Sequence, residues 1–244
     1  TYHALVIGNN EYQHAGLVDL NTAVADAEAI ADILEDKYGF TVTLLTNATR
    51  AQVLNELNRF RRELQENDNL LVYYAGHGEL DVATNTGSWL PVDAERDNDT
   101  EWIHNSNVTN ILSALRSRNA MVIADSCYSG SIFRGGGSTI LTAETREQMV
   151  RRLNEKKTRV ALTSGGNEPV VDAMGGSSHS VFAAAFLAVL ERNESVLMAN
   201  ELSQTVRAHV ISITANGGIE QTPEFRDLAG HDGGDFLFVP EQYQ

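Results

Sequence analysis

The sequence predicts a three-layer α/β domain with a mainly parallel sheet. Two observations carry this. Short apolar runs recur along the chain and are mostly continuous rather than alternating, as in strands buried on both faces. Between them lie segments whose apolar residues fall at helical spacing, and strand–helix alternation of this kind builds a parallel sheet between helix layers. In order, "ALVIG" (4–8) reads as a first strand, and Leu20, Ala23, Val24, Ala27, Ile30, Ala31 and Leu34 keep one helical stripe. "TVTLL" (41–45) follows as a strand. Thr49 and Gln52 then form a capping box ahead of Val53, Leu57, Phe60 and Leu64. "LLVYY" (70–74) and "AMVIA" (120–124) are the next strands, with Val108, Ile111, Leu112 and Leu115 as a stripe between them. "VALT" (160–163) is a strand, Ser180 caps the almost wholly apolar "VFAAAFLAVLE", and Leu202, Val206, Val210 and Ile213 form the last stripe before "FLFV" (236–239).

Composition bounds the partners. The chain has 244 residues, 42% hydrophobic, with a net charge of −15. That is enough apolar material for one large domain, and it repels nucleic acid and anionic membranes. The single cysteine, Cys127, allows no internal disulfide and no Cys-rich zinc site. A reducing, cytoplasmic setting is expected. No apolar run approaches the ~18 residues needed to span a bilayer, and no signal peptide is visible.

Two strands end at once in loops that bear reactive residues. "LLVYYAGHG" delivers His77 and "MVIADSCYSG" delivers Cys127. Sites in open α/β sheets form beyond the carboxyl ends of the strands, where parallel neighbours emerge together. A thiol with an ordinary pKa of ~8.5 needs a base beside it to react at neutral pH. An imidazole serves, and afterwards protonates a leaving amine. The backbone N–H groups of Gly78 and Cys127 are the natural donors to an oxyanion. Taken singly, a cysteine at a strand end is more often a small buried hydrophobe, and a histidine on a turn incidental. The pairing of the two contexts favours chemistry.

"YYAGHGEL" and "ADSCYSG" resemble the His and Cys boxes of the caspase-like cysteine peptidases, above all the metacaspases, paracaspases and bacterial caspase homologues. Cys127 follows His77 by 50 residues, the spacing known for caspases. "ALVIGNNEY", "LNTAVADAEAIADIL", "LPVDA" and "SHSVFAAAFL" extend the likeness over nearly the whole chain. The resemblance implies a caspase-type fold with a six-stranded sheet, divided into a large subdomain (1–133), a mobile linker (134–158) and a small subdomain (159–244). It implies a peptidase with Cys127 as nucleophile and His77 as base and acid. Asp125, two positions before the cysteine, and Asp26, in "VADA", match the acidic specificity-pocket positions of the branch that cuts after Arg or Lys. Paired carboxylates suit a guanidinium. Ala75 stands where several metacaspases have serine.

The segment 134–158 carries Arg134, Arg146, Arg151, Arg152, Lys156 and Lys157. A protease of basic preference would find cleavable bonds there, so a zymogen regulated by linker cleavage, by an upstream activating protease or by a regulatory domain is one expectation; a passive loop is the other. No cofactor is expected. Asp93, Glu95, Asp97, Asp99 and Glu101 invite a calcium reading, Asp93, Asp97 and Asp99 being the candidates. The spacing lacks an EF-hand's Gly and terminal Glu, however, and Arg134 replaces an acidic position used by relatives. A solvated acidic loop is the expectation. The competing functional reading is a catalytically silent caspase-like module that only binds partners.

Overall fold

The computed structural model describes residues 1–81, 84, 86–126, 146–165, 178–216 and 221–243. The main sheet uses β1 (Tyr2–Gly8), β2 (Thr41–Thr46), β3 (Asn69–Ala75), β7 (Asn119–Asp125), β8 (Thr158–Thr163) and β10 (Glu224–Asp227). Their order is β10-β8-β7-β3-β1-β2, and only β10 runs antiparallel to its neighbour. A small sheet of β4 (Gly78–Asp81), β5 (Thr86–Trp89) and β6 (Ile103–His104) follows β3 directly. β9 (Leu197–Met198) pairs with β11 (Leu237–Phe238) in a separate ribbon.

The helices are α1 (Ala23–Tyr38), α2 (Arg50–Glu63), α3 (Asn105–Ser113), α4 (Arg146–Asn154), α5 (Val181–Arg192) and α6 (Ala199–Asn216). Side chains of the central strands alternate between two cores, as a period of two requires. Ala4, Val6, Leu71, Tyr73, Met121, Ile123, Val160 and Leu162 pack with α1, α5 and α6. Leu5, Ile7, Leu70, Val72, Tyr74, Ala120, Val122 and Ala161 pack with α2 and α3. The Thr49–Gln52 capping box forms with both of its reciprocal bonds, and Ser180 caps α5 by accepting from the Ala183 N–H at 2.9 Å.

Three features differ from the sequence reading or add to it. "FLFV" does form a strand, but it lies in the β9–β11 ribbon; the sixth strand of the main sheet is the polar "EFRD" of β10. The hairpin sheet after His77 has no apolar run to announce it. Of the expected linker, 134–145 lie outside the described residues, 146–154 is helix α4, and Thr158 begins a strand.

Tight approach explains one glycine. A Cβ on Gly8, at the end of β1, would collide with the Ala23 carbonyl oxygen, and would lie 2.7 Å from Ala27 Cβ and 2.9 Å from Val24 Cα. The first turn of α1 therefore rests directly on the strand end.

Candidate active site

The carboxyl edge of the sheet gathers His77, Asp26 and Asp125. Ala75 and Asp125 are partners in the register of β3 and β7, and the Gly76 N–H reaches the Asp125 carbonyl at 3.4 Å. His77 and Ser126 thus stand just past adjoining strand ends at the same level. Cys127 and Arg134 lie outside the described residues.

His77 is fixed from several sides. Its backbone N–H donates to Tyr12 Oη at 2.7 Å, and the Tyr12 ring packs against the imidazole with centroids 4.7 Å apart. Its carbonyl accepts from the Leu90 N–H at 2.9 Å and lies 2.8 Å from Tyr74 Oη. Tyr74 itself stacks on Trp89. A side chain on Gly76 would press within 2.8 Å of Tyr74 Oη and 3.0 Å of Tyr12 Oη, so position 76 must stay small. Nε2 of His77 lies 2.7 Å from the Val18 carbonyl oxygen. A carbonyl only accepts, so Nε2 carries the proton and the neutral ring keeps its lone pair on Nδ1. Sequence reading missed Tyr12 and the Val18 carbonyl. "NNEY" marks a turn after a strand, but nothing local shows that the turn folds back over His77.

Asp26 and Asp125 come together through one dipeptide. His179 Nδ1 lies 2.7 Å from Asp26 Oδ1, and the Ser180 N–H donates to Asp26 Oδ2 at 3.3 Å. Ser180 Oγ donates to Asp125 Oδ2 at 2.5 Å. Both carboxylates are buried, at 1% and 4% exposure. Burial pushes the Asp26 carboxyl above its ordinary range, against the opposing pull of the His179 and Ser180 hydrogen bonds. Tyr73 Oη is buried nearby with no hydrogen-bond partner among the described residues. Burial first, then the charges of Asp125 and Asp26, drive that phenol well above its ordinary pKa. Ser180 was legible as a helix cap, whereas His179 was not legible at all.

The other expected residues are placed as follows. Gly78 opens β4 beside His77. Asp93 Oδ1 accepts from the Arg50 N–H at 2.8 Å, which caps the start of α2. Asp97 and Asp99 line an open groove of about 820 Å³ along the hairpin sheet, with Glu79, Asp81, Arg96 and Trp102. Among the described residues no three acidic, His or Cys side chains converge as a metal-ligand set. Arg146, Arg151 and Arg152 are on α4, and Arg146 makes a forked pair with Glu201 of α6, at 2.5 and 2.8 Å, and donates to the Val196 carbonyl. The Lys156 N–H donates to Leu153, and the Lys157 carbonyl accepts from Asp232. No described helix is long and apolar enough to cross a membrane.

The sheet order and the loops gathered at its carboxyl edge define a caspase-type α/β fold. Among solved structures, protein GSU0716 from Geobacter sulfurreducens shares this fold with a TM-score of 0.61 at 16% identity, over 93% of each chain. The caspase domain family matches residues 1–229, so the chain belongs to that family, one of cysteine peptidases acting on proteins. No curated protein sequence matches it.

Proposed function

We propose that this domain is a cysteine endopeptidase that cuts after Arg or Lys. The observation that best supports it is the in-register ending of β3 and β7 beside two buried carboxylates. On this reading Nδ1 of His77 takes the proton of the Cys127 thiol. The thiolate attacks the scissile carbonyl, and the Gly78 and Cys127 N–H groups hold the oxyanion. The imidazolium then protonates the departing amine, leaving an acyl-enzyme that water hydrolyses with the same histidine as base. Asp26 and Asp125 receive the substrate's basic side chain, which gains charge-assisted hydrogen bonds in a site from which water is excluded. Tyr73 Oη, buried with no hydrogen-bond partner among the described residues, fits a pocket floor with unused hydrogen-bonding capacity.

Regulation by linker cleavage stands as part of this proposal, with a restriction. A protease binds its substrate extended, so cutting at Arg146, Arg151 or Arg152 requires α4 to unwind, and at Arg146 also to release Glu201. Mass spectrometry of fully active protein finding the segment uncut would remove this part alone.

The test is hydrolysis of matched fluorogenic peptides ending in Arg, Lys or Asp, with calcium and with chelator. Cleavage after Arg and Lys, lost in Cys127→Ala and His77→Ala, is expected. Cleavage after Asp would overturn the pocket. Silence in every condition, including after limited tryptic nicking, would overturn the enzyme in favour of a binding module.

A further inference from the structure

The two pocket carboxylates are not empty-handed. Asp26 is 1% exposed, whereas the imidazole bonded to it, His179, keeps 28% of its side chain open to solvent. The histidine therefore stands on the solvent side of the acid. It also sits one residue outside α5, whose cap is Ser180 rather than His179. Rotation of the His179 side chain would open Asp26 Oδ1 while Ser180 keeps both its cap bond to Ala183 and its bond to Asp125. From this geometry we infer that His179 is a removable plug: its Nδ1–H occupies the carboxylate oxygen that the substrate's basic side chain must take, and the substrate enters by displacing it. This rests on Asp26 being a pocket acid, as proposed above.

The chemistry favours exchange. A guanidinium offers a carboxylate two parallel N–H donors and a full charge, whereas the imidazole offers it a single N–H. An internal competitor taxes every ligand that needs the same oxygen by the same factor. Removing it should therefore tighten binding of all cationic side chains together and leave the chemical step alone. A residue that merely supported Asp26 would do the opposite, and binding would weaken on its removal.

The experiment measures benzamidine binding by calorimetry, and KM and kcat on an Arg-ended peptide, for wild type, His179→Ala, Asp26→Asn and the double variant. His179→Ala is expected to tighten benzamidine and lower KM about tenfold, the scale of one hydrogen bond to a charged group, with kcat unchanged. In the Asp26→Asn background the same change should do little, because the carboxylate charge contested is gone. A second measurement needs no substitution. A crystal of the wild-type protein soaked in benzamidine should show the His179 ring turned away from Asp26. Unchanged or weaker binding in folded His179→Ala, or an amidinium bound with the His179–Asp26 contact intact, would overturn the plug. If Asp26→Asn itself leaves benzamidine binding and Arg cleavage untouched, the basic pocket has failed instead.

Discussion

Two buried charge centres lie at opposite ends of the same sheet, and they are closed in different ways. At the amino end, Arg159 on β8 is fully buried. Its guanidinium has five N–H donors, and every one is used. Nε donates to Leu112 O, Nη1 to Arg118 O and Thr158 O, and Nη2 to Leu115 O and Ser117 O, at 2.7 to 3.3 Å. These carbonyls come mostly from the end of α3 and the turn after it, whose orphan acceptors need partners. Burial lowers the Arg159 pKa to about 10, which still leaves it charged at neutral pH. At the carboxyl end, Asp26 and Asp125 are held largely by the side chains of His179 and Ser180. A charge closed by backbone on every valence is part of the frame. A charge closed by a side chain that can rotate is able to take a ligand.

The largest expected effect tests the first half of that contrast. Arg159→Met removes a charged donor from five carbonyls, of which Leu112 and Arg118 keep a backbone N–H partner, and should cost about 3–5 kcal/mol in urea unfolding. Peptide preference per folded molecule should not change; a change in preference would break the division between frame and pocket. Asp235 sharpens it next. Its carboxylate is also closed by backbone, from the Asn200 N–H at 3.4 Å and the Phe236 N–H at 2.8 Å. Burial raises its pKa from 3.8 to about 7, with Glu201 adding repulsion. The folded state then holds a proton that the unfolded state has released. Stability should fall as pH rises between those two values, by up to about 1.4 kcal/mol per pH unit. Asp235→Asn should flatten this slope without moving peptide specificity, as denaturant midpoints and hydrolysis assays across the range would record.

The smallest effect on stability should come from the pocket. Asp26 also has a raised carboxyl pKa, so its charged form disfavours folding at high pH. Asp26→Asn should leave stability at pH 8 unchanged or raised by up to about 1 kcal/mol, with the gain vanishing once the carboxyl is protonated in both states. The same variant should lose about a hundredfold or more in kcat/KM for Arg-ended peptides, since about 3 kcal/mol is typical of a lost buried charge pair. A large loss of stability with specificity kept would reverse the assignment of the two ends.

Legibility in the sequence followed the same division. Apolar runs revealed β1, β3, β7 and β8, because burial on both faces leaves no other composition for those strands; β2 showed as an apolar run too, but it is an edge strand with no buried residue, so the expectation of burial on both faces fails there. β10 stayed hidden because "EFRD" is half-buried at the sheet edge and owes its form to pairing with β8. α4 was read as linker because it lies in a segment that opens on three glycines and carries six basic side chains, and its anchor, Glu201, is 55 residues away. In the candidate site, the strand-then-loop context singled out His77 and the resemblance singled out Asp26 and Asp125, and the described residues place the two carboxylates on one dipeptide. Their meeting through His179 spans 153 residues to Asp26, and no local pattern encodes it.

Gly8 carries a final consequence. It acts as a spacer of zero thickness between strand end and helix, and Asp26 stands only one turn along that helix from the contact. A methyl group there would work as a shim, lifting α1 and drawing the carboxylate back from its seat. On the proposed pocket, Gly8→Ala should then raise KM for basic peptides although no charged group has been touched, the calibre of that pocket resting on a hydrogen atom at the end of β1.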